Sequence, residues 1–340
     1  MYLIGKDIAE LEELALSLGE RTFRGRQLFN WLYVKRVDGF AEMNDLAKGF
    51  RKRLSGKFPI SPVRVEELFH STDGAVKMLF TLPDSNRVEG VLIPDGERLT
   101  ACLSSQVGCV IGCRFCATGK IGFIRNLSAA EIVGQFVALD AATDTRITNV
   151  VMMGMGEPLL NRSEVFKAAR LITDPDGLGI SRRRFCISTI GWVPGIETMR
   201  RTGLRLKLTV SLNGTTDQQR RRLMPLAARF PLVKVLQAAE KYVRSANQRL
   251  TFSYLLLDGV NDSIKDATRL VKLIKHIPCK INLMEYNEIG GEFRRSDDKI
   301  TKGFQEILRS AGLTAILRKS RGEDITAACG QLAGQYVPCD

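Results

Sequence analysis

One stretch of the chain joins a candidate strand to a loop with three cysteines: Leu99-Thr100-Ala101-Cys102-Leu103-Ser104, then Cys109-Val110-Ile111-Gly112-Cys113-Arg114-Phe115-Cys116. Thiolates at this spacing can converge on one metal centre, and no fourth cysteine lies nearby to complete the set. Cysteine thiolates are the usual ligands of iron–sulfur clusters, and a cluster held by three of them keeps one iron open. A structural zinc loop is the alternative, but zinc takes four ligands, and the two histidines, His70 and His276, lie far along the chain.

The sequence after this strand alternates between short extended runs and longer runs with helical spacing. The candidate strands are 99–104, 149–153, 184–188, 206–211, 250–256, 280–284 and 314–318. The candidate helices are 129–142, 162–172, 195–201, 232–243, 264–276 and 301–311. Such alternation predicts an α/β fold with a parallel sheet and crossover helices, as a complete or partial barrel. Working residues of a barrel lie at the carboxyl ends of its strands, where the three-cysteine loop is expected.

The remaining segments have different patterns. Residues 1–60 contain three apolar stripes, at 8–18, 27–34 and 40–50, and predict a small helical accessory domain. Residues 61–98 contain short extended runs at 77–82 and 88–93, separated by Asp-Gly and Pro-Asp turns, and predict an antiparallel element that links two units. The catalytic core is then expected over residues 99–340.

Composition indicates the kind of partner. The chain has 50 lysines and arginines against 37 aspartates and glutamates, a net charge of +13, which favours a nucleic acid over a membrane surface. Each short basic run, such as Arg220-Arg221-Arg222, is by itself typical of a solvated face. No apolar run approaches the length of a membrane helix, and the first residues are too acidic for a signal peptide, so we expect a cytoplasmic protein.

A second motif, Met153-Gly154-Met155-Gly156-Glu157-Pro158, follows the second candidate strand of the core. Leu159 stands where a dinucleotide fingerprint needs its third glycine, so the motif does not indicate a Rossmann site. The glycines would let a ligand approach the backbone, and Glu157 could accept a hydrogen bond from an ammonium group. A tight strand-to-helix turn without a ligand is the alternative.

Several motifs in order resemble those of one family. They are the segments 102–109, 109–119, 122–127, 154–161 and 324–332. Together they resemble the radical S-adenosylmethionine (SAM) adenine-2 RNA methyltransferases, which have dual specificity for rRNA and tRNA. The resemblance runs essentially end to end and implies a radical SAM partial (β/α)6 barrel with an N-terminal RNA-binding domain. A sister group that methylates carbon-8 of adenine shares some sequence motifs with this chain, including Leu223-Met224-Pro225.

The resemblance also implies roles for individual residues. Cys109, Cys113 and Cys116 would hold a 4Fe-4S cluster whose free iron binds SAM. Cys329 would accept a methyl group, Cys102 would later resolve a protein–RNA adduct through a disulfide bond, and Glu89 would accept a proton. The expected SAM contacts are Gly156, Glu157, Ser188, Ser211, Leu212, Asn213 and Asn287. Asn213 stands where many relatives have histidine, and Ser253 where glutamate is common.

The family's reaction and partners complete the expectations. The enzyme would use two SAM molecules per turnover to methylate an adenine of the peptidyl transferase centre in 23S rRNA and an adenine next to the anticodon of tRNA. A flavodoxin or ferredoxin would supply electrons, and we expect a monomer. Cys186 and Cys279 are interpreted as buried small side chains, and Cys339 as an exposed bystander. An iron–sulfur protein that senses redox state or binds RNA without turnover is the alternative from another class.

Overall fold

The computed structural model describes residues 1–332, and Cys339 lies outside them. The helices are α1 (Ile8–Ser17), α2 (Phe23–Phe29), α3 (Lys48–Ser55), α4 (Ala117–Ile121), α5 (Ala129–Ala141), α6 (Arg162–Ile172), α7 (Val193–Thr202), α8 (Asp217–Leu223), α9 (Leu232–Ala246), α10 (Ile264–Ile274) and α11 (Asp298–Ser310). The strands are β1 (Arg64–His70), β2 (Val76–Thr81), β3 (Arg87–Asp95), β4 (Arg98–Cys102), β5 (Gln106–Gly108), β6 (Phe123–Asn126), β7 (Asn149–Met152), β8 (Phe185–Thr189), β9 (Lys207–Ser211), β10 (Leu250–Leu256), β11 (Cys279–Glu285) and β12 (Ala315–Arg318).

Ten of these strands form one sheet, in the order β1-β2-β3-β4-β7-β8-β9-β10-β11-β12. From β4 to β12 all neighbours are parallel, with crossover helices between them, as expected of a radical SAM partial barrel. Strands β1 to β4 pair antiparallel and extend the sheet on one side, while β5 and β6 form a separate hairpin. The α/β fold class is therefore confirmed.

Local sequence explains where several helices begin. Ser128 caps α5 and Asp7 caps α1, and in each case a glutamate three residues into the helix completes a capping box. These bonds satisfy backbone N–H groups that a first helical turn leaves without partners. Gln135 of α5 accepts a hydrogen bond from the N–H of Ser104 (2.9 Å), which connects α5 to the segment between β4 and β5.

Three local predictions differ from the structure. The apolar stripe at 40–50 does not form one helix. It contains a 3₁₀ turn, Phe40–Glu42, and the first residues of α3, whose buried side chains Phe50 and Leu54 have helical spacing. The stripe at 27–34 ends in a π-helical turn, Asn30–Lys35. Strand β1 is not predicted from the sequence, because nearly all its side chains are exposed and show no apolar alternation.

The C-terminal segment connects the two sides of the open sheet. Asp324 accepts hydrogen bonds from the hydroxyl of Ser71 (2.6 Å) and the backbone N–H of Thr72 (3.0 Å) in the β1–β2 turn. Asp73 of the same turn accepts one from the N–H of Gly322 (2.9 Å). The chain after β12 therefore returns to β1 and β2 and lies across the carboxyl ends of the strands.

One large apolar core extends from the N-terminal helices into the sheet, and a second, smaller cluster packs beside the cysteine loop. The second cluster includes Ile190, Leu223 and Met224. Because the large core is shared, the boundaries at residues 60 and 98 stay a prediction. In residues 1–332, no helix combines the length and apolar character that crossing a bilayer requires.

Candidate active site

The carboxyl ends of the parallel strands surround a cavity that is open to solvent on one side. Its walls include Cys109, Cys113, Cys116, Met153, Gly154, Gly156, Glu157, Ser188, Thr189, Ile190, Ser211, Asn213, Ser253, Leu255, Met284, Tyr286, Cys329 and Gly330. The sequence-predicted cysteines and most of the predicted SAM contacts therefore meet in one place.

The cysteine loop is fixed mainly by short-range bonds. The N–H of Cys109 donates to the carbonyl of Gly122 (2.7 Å), and the N–H of Cys116 to that of Cys113 (3.2 Å). Burial raises the pKa of Cys109 to about 12 and that of Cys113 well above its usual value, and the neighbouring thiols raise the latter further. A bound cation would displace these protons, since the thiolate is the form that binds metal.

The donor set fits an iron–sulfur cluster. In residues 1–332 no three side chains of the His, Cys, Asp or Glu type stand close enough to share one metal ion. Cysteine thiolates are the usual ligands of iron–sulfur clusters, and a cluster held by three of them keeps one iron open. Three thiols on one cavity wall, beside space for a further ligand, match a cluster with one open iron.

Glu157 is almost fully buried at the cavity wall. Its carboxylate accepts hydrogen bonds from the N–H groups of Leu159 (3.1 Å) and Ile190 (3.0 Å). Burial raises its pKa to about 7, although these two bonds oppose the rise. An ammonium group placed in the cavity beside it would favour the charged form.

Gly156 has a structural reason to be glycine as well as a place in the cavity wall. Its φ is +97°, and a Cβ there would lie 2.5 Å from the side chain of Gln106. The side-chain oxygen of Gln106 accepts a hydrogen bond from the N–H of Glu157 (2.8 Å). The motif is therefore a tight turn packed on β5, and the turn presents Glu157 to the cavity.

Ser188, Ser211 and Asn213 line the cavity at the ends of β8 and β9. Asn213 has a positive φ of 52° and accepts a hydrogen bond from the N–H of Leu255 (3.0 Å) through its side-chain oxygen. Leu212 points into the apolar core, so only its backbone is available to a ligand near this turn. Asn287 is buried outside the cavity wall.

Asn287 instead holds the loop that carries Cys329. Its side-chain nitrogen donates to the carbonyl of Cys329 (3.1 Å), and its oxygen accepts from the hydroxyl of Ser320 (2.7 Å). The next residue, Gly330, accepts from the N–H of Ala117 beside the cysteine loop (2.7 Å). The two cysteine-bearing loops are thus bonded to each other.

Cys329 is exposed to the cavity, whereas Cys102 is buried on β4. Burial raises the pKa of Cys102 to about 12, and Cys329 raises it further, so the two thiols lie within electrostatic reach of each other. Protein around the cavity raises the pKa of Cys329, and Arg318 opposes the rise at both thiols. All seven cysteines of the described residues are free, so the predicted disulfide is not formed here.

Glu89 is buried in β3, where Lys77 of β2 forms an ion pair with it (3.1 Å). Both side chains are at most 1% exposed. Lys77 also donates to the hydroxyl of Thr326 (3.0 Å) in the Cys329 loop. Glu89 and the Cys329 loop therefore share one ammonium group.

Two cations that contact this site were not predicted from the sequence. Lys77 could have been noticed as a lone charge inside the apolar run Val76–Thr81. Arg220 is buried, which corrects the expectation of a solvated face for its basic run, and nothing local distinguishes it from Arg221 and Arg222. Cys279 is buried as expected, while Cys186 is half-buried, with its sulfur 3.2 Å from the hydroxyl of Thr209.

Two family models define the class. Residues 103–271 match the radical SAM superfamily, and residues 1–60 match the ribosomal RNA large subunit methyltransferase N-terminal domain. The chain is a radical SAM enzyme, and the three-cysteine loop lies inside the first match.

Curated relatives narrow this to a family. The dual-specificity RNA methyltransferase RlmN of Syntrophobacter fumaroxidans is 44% identical over 97% of both chains. The protein of Geobacter sulfurreducens with the same name is 45% identical over 97% of this chain and 91% of its own. A crystal structure of a radical SAM methyltransferase from Sphaerobacter thermophilus superposes with a TM-score of 0.95 at 39% identity, covering 98% of this chain and all of that one. The chain belongs to the RlmN family of RNA methyltransferases.

Proposed function

We propose that the protein methylates carbon-2 of an adenine in 23S rRNA, at the peptidyl transferase centre, and of an adenine next to the anticodon in tRNA. The observation that carries this proposal is the position of Cys329. It lines the same cavity as Cys109, Cys113 and Cys116, and its loop is bonded to theirs. A thiol in that position can receive a methyl group and present it to a radical formed at the cluster.

Cys109, Cys113 and Cys116 are the proposed ligands of a 4Fe-4S cluster, and Glu157, Ser188, Ser211 and Asn213 surround the space left for SAM. When bound, the reduced cluster supplies the electron that cleaves SAM to a 5′-deoxyadenosyl radical. A flavodoxin or ferredoxin is the proposed source of that electron. Glu157, at the cavity wall, is the proposed acceptor for the ammonium group of SAM.

Cys329 acts as the methyl carrier. Its thiolate takes a methyl group from one SAM. Burial raises the pKa of Cys329, and Arg318 opposes that rise. A hydrogen atom is then lost from the S-methyl carbon to the radical derived from a second SAM. The resulting carbon radical adds to carbon-2 of the adenine and joins Cys329 covalently to the RNA. Carbon-2 is an electrophilic amidine carbon, which is why a radical replaces direct attack on a SAM methyl group.

Glu89 and Cys102 complete the proposed cycle. The radical adduct must lose one electron and the proton at carbon-2 to restore the aromatic ring. The electron would pass to a bound cluster in its oxidised form, Glu89 accepts the proton, and Lys77 keeps the carboxylate of Glu89 in place. The thiolate of Cys102 attacks the sulfur of Cys329, so an S–S bond forms as the S–C bond breaks. The released carbon takes up a proton and becomes the new methyl group. The burial of Cys102 keeps this thiol from competing reagents until the loop delivers the adduct.

The net charge of +13 supports a polyanionic substrate for this site. The helices before residue 60 lie in the segment that matches a ribosomal RNA methyltransferase domain. We propose that this segment grips the RNA and that the enzyme acts as a monomer in the cytoplasm.

Mass spectrometry tests the proposal directly. Reconstituted, reduced protein is incubated anaerobically with SAM and RNA, and the nucleosides and cysteine peptides are analysed. We expect 2-methyladenosine, 5′-deoxyadenosine and a methylated Cys329. A product methylated at carbon-8 would show that the protein catalyses the reaction of the sister group. Absence of SAM cleavage would indicate a non-catalytic iron–sulfur protein. Cys279→Ala is the matched control, because this buried thiol lies outside the cavity wall and should leave all three products unchanged.

A further inference from the structure

Arg220 is a buried cation beside the cysteine loop. It lies on α8 and is 1% exposed, whereas the adjacent Arg221 and Arg222 are exposed. Its two terminal nitrogens donate to backbone carbonyls at the carboxyl ends of β8 and β9: Ile190 (2.7 Å) and Leu212 (2.7 Å). The guanidinium therefore lies directly behind the cavity wall, to which Ile190 belongs.

The charge of Arg220 is not balanced by a carboxylate at contact distance. In residues 1–332 it forms no ion pair, and its Nε is buried without a hydrogen-bond partner. The carboxylate of Asp217 favours the charged form of Arg220 from a distance, but the side chain of Asp217 is exposed to solvent. Burying an unpaired charge is costly unless a compensating charge is present in the working protein. Burial accordingly lowers the pKa of Arg220 to about 10.

The geometry places the cysteine loop next to this cation. The N–H of Arg114, between Cys113 and Cys116, donates to the carbonyl of Leu223 at the end of α8 (3.0 Å). Cys113 packs against the small apolar cluster that contains Ile190, whose carbonyl Arg220 binds. The two groups also act on each other electrostatically, since each favours the charged form of the other.

We propose that Arg220 is the fixed countercharge of the iron–sulfur cluster and favours its reduced form. Three thiolates give the bound cluster a net negative charge, and the electron makes that charge larger. A guanidinium held by backbone carbonyls cannot move away or be screened by solvent, so its attraction for the cluster increases on reduction. This inference rests on the cluster ligands in the proposed function.

A redox titration of the reconstituted full-length protein tests this inference. The cluster is reduced by one electron with dithionite in the absence of SAM, and the reduced form is measured by electron paramagnetic resonance. We expect Arg220→Met to disfavour reduction about tenfold, a midpoint potential about 59 mV more negative for a one-electron couple. Arg220→Lys keeps the charge and should lie closer to the wild type than to the Met variant.

Arg221→Met is the matched control, because it removes the same charge from an exposed position one residue away. It should leave the potential unchanged. An Arg220→Met protein with full iron content and the wild-type potential would overturn the inference. If the Met variant takes up no cluster, the Lys variant decides: a loaded cluster near the wild-type potential supports the countercharge, and any other result overturns it. A wild-type protein that binds no iron would instead contradict the proposal that Cys109, Cys113 and Cys116 bind a cluster.

Discussion

The two cysteine-bearing loops of the cavity are held in different ways. The loop of Cys109–Cys116 follows β5, and its bonds run to Gly122, within itself and to α8. The Cys329 loop is held from distant parts of the chain: by Asp73 and Lys77 of the β1–β2 hairpin and by Asn287 after β11. The first loop is bonded mainly to neighbouring backbone, and the second is bonded mainly to polar side chains from distant parts of the chain.

This difference matches the two tasks that we propose for the loops. A cluster needs ligands that keep their positions through a redox cycle. A methyl carrier must meet SAM, the base and Cys102 in turn, and polar ties at a partly exposed edge can break and form again. The antiparallel extension β1–β3 therefore contributes to the active site, because its side chains are bonded to the Cys329 loop.

Removing a ligand from the first loop should have the largest effect. We expect Cys113→Ala to lose iron and all methylation together, because two thiolates cannot hold the cluster. Iron content, absorbance and RNA methylation are measured on the same preparation. Cys186→Ala, in a strand away from the loop, is the control and should keep its iron. Full iron content in Cys113→Ala would break the ligand assignment.

Breaking the buried tie of the second loop should lower stability. We expect Lys77→Met to reduce the free energy of unfolding by about 3–5 kcal/mol, because Glu89 stays buried after its ammonium partner is removed. Urea titration of the cluster-loaded protein measures this change, and iron content should be maintained. The double variant Lys77→Met, Glu89→Leu should recover most of the loss. A single variant as stable as the wild type would show that the pair does not hold this region.

The smallest effect is expected at the exposed end of the Cys329 loop. Asp324→Asn weakens the bonds to Ser71 and Thr72. We expect methylation to slow several-fold while iron content and the position of the cluster loop stay unchanged. Single-turnover methylation is compared with that of Glu323→Gln, the adjacent exposed carboxylate, which should resemble the wild type. Equal rates in both variants would mean that the tie does not position Cys329.

The sequence predicts the first loop and the barrel better than the second loop. The spacing of three cysteines is local, and every parallel strand has an apolar run, so both can be recognised without knowing any distant contact. The resemblance to a family supplied Cys329, Cys102 and Glu89, whose own surroundings in the sequence carry no such signal. Asn287 illustrates the limit, because nothing in the sequence indicates its hydrogen bond to the Cys329 loop, while its contact with SAM stays a prediction.

The sequence predicts the positions of charged side chains least well. A basic run predicts solvent exposure, yet one of its three arginines turns inward under the cavity while the others stay outside. Lys77 and Glu89 face each other only because β2 and β3 pair in a particular register, with Leu79 opposite Glu89. Register and helix rotation depend on the packed fold, so a single sequence cannot assign them.

In the proposed mechanism, Cys329 carries the methyl group into a covalent bond with RNA and Cys102 releases it. The most direct test is to express Cys102→Ala in cells, digest the purified protein with nuclease and analyse its peptides by mass spectrometry. We expect a folded, iron-containing protein with a nucleotide attached through Cys329, and no adduct once Cys329 is also replaced. A folded, iron-containing Cys102→Ala protein that turns over at the wild-type rate without trapped RNA would contradict it.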